Sequence, residues 1–469
     1  MALVMRSAWE RLLSLIATLV LARLLVPHDF GVAAVVLSAT AVATIIVDGG
    51  ITNDLVRRKE SPTVQRFRAS RRAQFSLATI ALVLAAAIIP LSPSFGLLLL
   101  IDAAQLLTDP LVLQPKVMLQ RAMDFSGLAL ADGLGILARA LVSLAVAFVH
   151  RGPASLVVGD LGAALVYAAV VTRWLGPKAA RPADGPPERA IRALREGAPF
   201  QAFSLIISGR DLSSTALIGG LVGLRTLGLF QFAYRTLSPV LVVFASLSQI
   251  AIPIGVHVDP ENPAVLRRTR QGYLLSGLVT AIVVATVAAP AHWLVPAVFG
   301  QKWASSVPLI FAMALGLVIN GPATTFGIGL ILAANYTKAA SFAALACTTF
   351  FLTTLAILHQ LSGLHALTAA WVLSAVVETL VVVIACSRLL RVQLASLNLI
   401  PIPVFLIAYG VAYQVAARFS GWLVPSVVAA GVAAAISLLI SLPLTWRSAR
   451  VLIKVARGGS SPLPAPGPA

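Results

Sequence analysis

The chain has 469 residues, 59% hydrophobic and 11% charged, with a mean hydropathy of +0.93. A soluble chain carries about a quarter charged residues, so a soluble globular protein is excluded. Near-continuous apolar runs, rather than short alternating segments, exclude a transmembrane barrel. A formal net charge of +18 would suggest nucleic acid in a soluble protein, but here the cations mark topology, and no nucleic-acid partner is expected.

The hydropathy pattern predicts an all-α polytopic membrane protein with about 14 transmembrane helices. They fall at about 5–26, 29–52, 72–91, 95–115, 127–149, 154–174, 198–221, 228–254, 272–298, 304–331, 339–359, 364–386, 400–417 and 422–444. The first is interrupted by Arg11, Ser14, Thr18 and Arg23, so it is expected to face protein or water. It has no clear small-residue cleavage site and runs into a second span, which reads as a retained helix. Leu21–Arg58 joins the first two spans through a tight Pro27–Gly31 turn, holds Asp48 inside the second span, and ends in Arg57, Arg58 and Lys59.

Cations collect in alternate loops. One side carries Arg57, Arg58, Lys59, Arg66, Arg68, Arg71 and Arg72, then Lys116 and Arg121, and six cations between Arg173 and Arg195. Arg267, Arg268 and Arg270, then Lys338, Arg388 and Arg391, and finally Arg447, Arg450, Lys454 and Arg457 complete that side. The other side holds Arg151, Arg225, Lys302 and Arg418. The positive-inside rule then places both termini in the cytoplasm, with membrane lipids as partners through their anionic headgroups.

The connection Gly176–Gly197 is rich in Pro, Gly and charge and ends in a predicted short amphipathic helix, Glu188–Glu196, on the membrane surface. The expected organisation is a six-helix N-terminal lobe (1–175), a cytoplasmic linker (176–197), a six-helix C-terminal lobe (198–386), two additional helices (387–446) and a basic disordered tail (447–469). An internal repeat supports the split. Leu25–Gly31 (LVPHDFG) and Val222–Gly228 (VGLRTLG) close equivalent turns with an offset of 197, the difference between Gly228 and Gly31. Two repeated bundles around a central cavity form a transporter plan.

Catalytic constellations are missing from the sequence. There is no Gly-x-x-x-x-Gly-Lys phosphate loop and no His-Glu-x-x-His. His359 and His365 flank a short loop, and Cys347 and Cys386 lie in apolar segments without metal-ligand spacing. No catalytic residue, metal or cofactor is expected, and the chain reads as a non-enzyme.

Several stretches resemble the Wzx-type polysaccharide flippases of the MOP superfamily, which also includes MATE exporters and the lipid II flippase. They are Leu21-Ala22-Arg23 with Pro27 and Phe30-Gly31, then Asp48-Gly49-Gly50, and Leu119-Gln120-Arg121-Ala122-Met123-Asp124-Phe125. Gly228-Leu229-Phe230-Gln231-Phe232-Ala233-Tyr234-Arg235, Phe299-Gly300-Gln301-Lys302-Trp303 and Val307-Pro308-Leu309 also fit. The likeness covers roughly residues 1–390. One departure is Ser214, which stands where the family usually places an acid five residues before Ile218-Gly219.

The resemblance implies flipping of an undecaprenyl-diphosphate-linked oligosaccharide by alternating access, in the cell inner membrane, for cell-surface polysaccharide synthesis. Glycan polymerase and export machinery are the implied protein partners. Arg139 and Arg210 lie near the centres of their spans, where a lipid-facing charge costs about 3 kcal/mol, so they are expected to face a partner or a wet cavity. With Arg23 and Arg235 nearer the span ends, they form the expected substrate-binding set, because guanidinium binds phosphate oxygens bidentately. Asp132 lies two helical turns from Arg139 on the same face, and Asp211 is adjacent to Arg210. With Asp48 and Glu378 they are the expected ion-coupling groups or charge partners, and Asp102 and Asp160 complete the intramembrane acids. The competing expectations are structural pairing of these charges across helices, a MATE-like ion-coupled exporter of small molecules, and a non-transporting scaffold of a glycan-assembly complex.

Overall fold

A computed structural model describes residues 17–58, 60–180, 182–186, 188–238, 240, 244, 261–334, 336–360 and 363–456. Those residues are helical with connecting turns and contain no strand. Among them, ten helices are long and apolar enough to cross a membrane. The first and eighth expected spans fall largely outside the described residues. The third forms a helix that is not among the ten, in keeping with the cations and polar residues it carries, and the described part of the seventh is a shorter apolar helix, Asp211–Val222. The chain divides into two compact units, Met1–Gln231 and Phe232–Ala469.

In the N-terminal unit, α1 (Pro27–Asp48) begins with proline, whose fixed φ suits a first helical position. The Val26 N–H donates to the Asp29 carboxylate at 3.0 Å, satisfying a donor at the helix start. Gly49 (φ 59°) and Gly50 (φ 71°) then turn the chain through the left-handed region, into the short α2 (Ile51–Arg57). Thr63 caps α3 (Val64–Ala87) by accepting from the Arg66 N–H at 3.2 Å. Next come α4 (Pro93–Ala103), continued through a 3-10 segment (Ala104–Leu107) into α5 (Asp109–Arg121), and the packed pair α6 (Phe125–Val149) and α7 (Ala154–Ala169).

The expected short surface helix over Glu188–Glu196 is corrected. It forms the first turns of one continuous 28-residue helix, α8 (Ala190–Leu217). Packing of α8 on α1, α2 and α3 carries the helix across Gly197 and Pro199. At Gly197 the approach is so close that a Cβ would stand 2.3 Å from the Gly49 carbonyl oxygen. By contacts, α8 and the first half of α9 (Leu224–Leu237) belong to the N-terminal unit.

The C-terminal unit holds α10 (Pro263–Ala288), α11 (Val307–Pro322), α12 (Thr337–Leu358), α13 (Gly363–Leu389), α14 (Pro401–Ala416) and α15 (Leu423–Ala456). Helices α12 and α13 pair, as do α14 and α15, while α10 packs on α11, α14 and α15. Tyr273, Phe326, Leu330 and Cys386 share one buried cluster. The Tyr273 hydroxyl donates to Asn398 Oδ1 at 2.6 Å, and Asn398 Nδ2 donates to the Ile319 carbonyl at 3.0 Å, so the polar groups entering that core are matched. Neither cysteine is in a disulfide.

Candidate functional site: two polar cavities in the N-terminal unit

Asp132 and Arg139 are seven positions apart on α6 and so share one of its faces, whereas a 3-10 segment, Ala104–Leu107, lies between Asp102 on α4 and Asp109 on α5. The fold brings Asp109 to the face of α6 that carries Asp132 and Arg139. Asp109, Asp132, Arg139 and Asp160 line one cavity of about 480 Å³ with Gln105 and Tyr167. Arg139 forms its ion pair with Asp160 on α7, so the partner comes from the neighbouring helix rather than from Asp132 on its own. The pair is asymmetric: 57% of the Arg139 side chain remains exposed, against 15% for Asp160. Asp160 therefore anchors one side of the guanidinium while the rest of the fork stays accessible to another acceptor.

Gln105 ties in a second acid. Its Nε2 donates to Asp102 Oδ1 at 3.0 Å and to Asp160 Oδ2 at 3.3 Å. Asp102 is fully buried, and its Oδ2 has no hydrogen-bond partner among the described residues. Its position was legible as an acid within an apolar run, but the bridge through Gln105 to Asp160 required the tertiary fold.

Thr44 and Asp109 also line a second cavity of about 340 Å³, nearer the Gly49-Gly50 turn. Asp48 faces this cavity and accepts from the Thr52 hydroxyl and, at 3.4 Å, from Gln74 Nε2. Beyond it lies an ionic cluster. Arg66, with 4% of its side chain exposed, pairs with Asp54 at 3.0 Å, with Glu188 and with Glu196. Arg58 pairs with Asp54 at 2.9 Å and with Glu196, and Arg192 pairs with Glu196 at 2.8 Å. Partial burial acts to raise the Glu196 pKa, but hydrogen bonds from Arg192 and Arg66 and the charges of Arg66 and Arg58 outweigh it, lowering the group to about 2. Arg121 donates to the carbonyls of Leu55, Val56 and Arg58 at 2.9, 3.2 and 2.7 Å, closing the exposed end of α2.

The other expected site residues are dispersed. Arg23 is exposed next to the first turn, and Asp211 is exposed on α8. Arg210 lies on α8, but its side chain is outside the described set. Arg235 and Glu378 belong to the C-terminal unit. Glu378 is half-buried, accepting from Asn320 Nδ2 at 2.9 Å and from Cys347 Sγ at 3.5 Å. Asp109, Gln74 and Gln105 escaped the sequence reading, and Lys116 entered it only as a loop cation. The only available signal was the spacing of polar residues along one face of an otherwise apolar segment.

Comparison with known proteins places these features in context. A family described as "Polysaccharide biosynthesis protein" matches residues 20–308. The lipopolysaccharide biosynthesis protein WzxC of Escherichia coli (strain K12) is 24% identical over 386 residues, covering 78% of this chain and 76% of WzxC. The teichuronic acid biosynthesis protein TuaB of Bacillus subtilis (strain 168) is 27% identical over 136 residues, a match spanning 27% of each chain. Among solved structures, the lipid II flippase MurJ in an inward closed conformation superposes with a TM-score of 0.74 at 15% identity, covering 96% of this chain and 99% of that one. An inward-facing MATE family multidrug resistance transporter of the MOP superfamily gives 0.52 at 13% identity, covering 83% and 95%. At those identities the two structures establish the shared fold.

Proposed function

The chain belongs to the polysaccharide biosynthesis protein family, and on that footing we propose that it flips an undecaprenyl-diphosphate-linked oligosaccharide from the cytoplasmic to the external leaflet. The chain is a multi-pass membrane protein. The proposal places it in the cell inner membrane, moving the polar headgroup by alternating access. The observation that carries this reading is the half-exposed Arg139, anchored by Asp160 in a polar cavity within an apolar helical unit. A guanidinium held on one side by a carboxylate presents its remaining donors to a diphosphate or to an acidic sugar. Glu378 and the Asp102–Gln105–Asp160 bridge are the proposed responders to an ion gradient. Glycan polymerase and export machinery are proposed partners, and the chain itself is assigned no catalytic step.

Lipid-linked oligosaccharide flipping in proteoliposomes tests the proposal. Wild type should flip, Arg139→Ala should lose at least tenfold in rate while remaining folded, and Arg210→Ala reports on the second central arginine. Wild-type protein that flips no lipid-linked glycan under any imposed gradient overturns the reading. The MATE-like structure favours one alternative, export of small molecules. In that case overexpression would confer drug resistance, whereas the flippase reading expects none.

A further inference from the structure

The smaller cavity has a chemistry that phosphate recognition by Arg139 does not require. Carboxamides line it from four segments: Asn53 on α2, Gln74 on α3, Gln120 on α5 and Gln201 on α8, with Asp48 and Lys116 among them. Gln74 is 1% exposed. Its Nε2 points to Asp48, and its Oε1 has no hydrogen-bond partner among the described residues. Reversing the amide would set that oxygen against the Asp48 carboxylate, so the orientation follows from the charge beside it. Gln74 lines the cavity, and a buried carbonyl oxygen without a donor is unusual in a folded protein.

The donor set narrows the ligand. Asp48 and Asp109 together outnumber Lys116 in the lining, which disfavours a phosphate here. The many polar groups disfavour an apolar drug, and the described residues contain no group of three or more potential metal ligands. A sugar hydroxyl both donates and accepts, so it can donate to Asp48 and accept from the amides of the lining. The volume of about 340 Å³ falls within the roughly 300–1,000 Å³ of small-ligand sites. Thr44 and Asp109 line both cavities, making the two polar spaces neighbours. We propose that the cavity formed by Asp48, Asn53, Gln74, Gln120 and Gln201 is a subsite for a neutral, hydroxyl-bearing sugar unit of the transported glycan. This inference rests on the flippase reading and adds the class of sugar recognised at one place.

The test uses the full chain in nanodiscs, with Gln74→Leu and Gln201→Ala as variants. Saturation-transfer NMR is run against a panel of neutral mono- to tetrasaccharides, with sugar phosphates and uronic acids as controls. A neutral sugar should give ring-proton signals that fall about tenfold in Gln74→Leu and weaken in Gln201→Ala. Gln74→Leu should keep the wild-type unfolding temperature, because it removes an unmatched oxygen and one long hydrogen bond. No neutral sugar binding, binding by the anionic controls alone, or sugar signals unchanged in both variants overturns the subsite. Proteoliposome flipping on the same preparations separates the two claims: flipping without sugar binding leaves the flippase and removes the subsite. Sugar binding without flipping keeps a sugar site but removes the flippase reading and, with it, the assignment of that sugar to a transported glycan.

Discussion

At the scale of the residue, Arg66 is the centre of the ionic cluster in the N-terminal unit. It is buried at the junction of α2, α3 and the start of α8 and faces the three carboxylates of Asp54, Glu188 and Glu196. Its own pKa is raised: burial pulls it down, and hydrogen bonds and charge from Glu188 and Glu196 push it up further. Truncating one partner of a buried pair typically costs about 3–5 kcal/mol, because the other charge is left uncompensated. Arg66→Ala should therefore lower the thermal unfolding midpoint more than Arg192→Ala, whose side chain is 64% exposed. Detergent-phase unfolding scans compare the two. The cluster is also acid-sensitive. The folded pKa of Glu196 is depressed to about 2 from its ordinary value of 4.5, so its contribution is present above that ordinary value and is lost as pH falls from there toward 2. Wild type should lose more stability than Glu196→Gln between pH 6 and about pH 3; parallel pH profiles would remove Glu196 from the explanation.

At the scale of the element, the repeat seen in the sequence has a packing reason. Gly31 on α1 and Gly228 on α9, which share the offset of 197, meet at one crossing. A Cβ on Gly31 would stand 1.8 Å from the Leu224 carbonyl oxygen, and one on Gly228 would stand 1.7 Å from that of Pro27. Each glycine admits the other helix's backbone, the close approach that small residues permit in membrane helices. Gly228→Ala and Gly31→Ala should each destabilise by a few kcal/mol, and the double variant should cost less than their sum, because either alone forces the helices apart. Additive shifts in unfolding midpoint would show that the two contacts are independent. Other residues that carried the family likeness are also packing groups. Phe232 meets Phe299 edge to face and Trp303 at a tilt, at centroid distances of 4.9 and 4.4 Å, and Trp303 is fully buried. Arg121 closes the end of α2.

At the scale of the whole molecule, the distribution of cations among loops predicts that both termini face the cytoplasm. Green fluorescent protein fused at either end should fluoresce, and alkaline phosphatase at the same positions should be inactive. The reverse pattern would invert the proposed direction of loading. The membrane class, the helical architecture and the family were legible in the chain because hydropathy runs and short turn motifs are local properties that survive without coordinates. Arg139 was legible for the same reason: an unshielded charge in an apolar run is costly wherever the helix packs. What needed the tertiary structure was partnership. Asp160 rather than Asp132 holds Arg139, Gln105 bridges two acids, and the surface helix is the start of α8, docked on the Gly49-Gly50 turn. Helical spacing determines which residues share a face, but the rotation and crossing of neighbouring helices decide which faces meet, and those depend on close contacts between residues far apart in the chain.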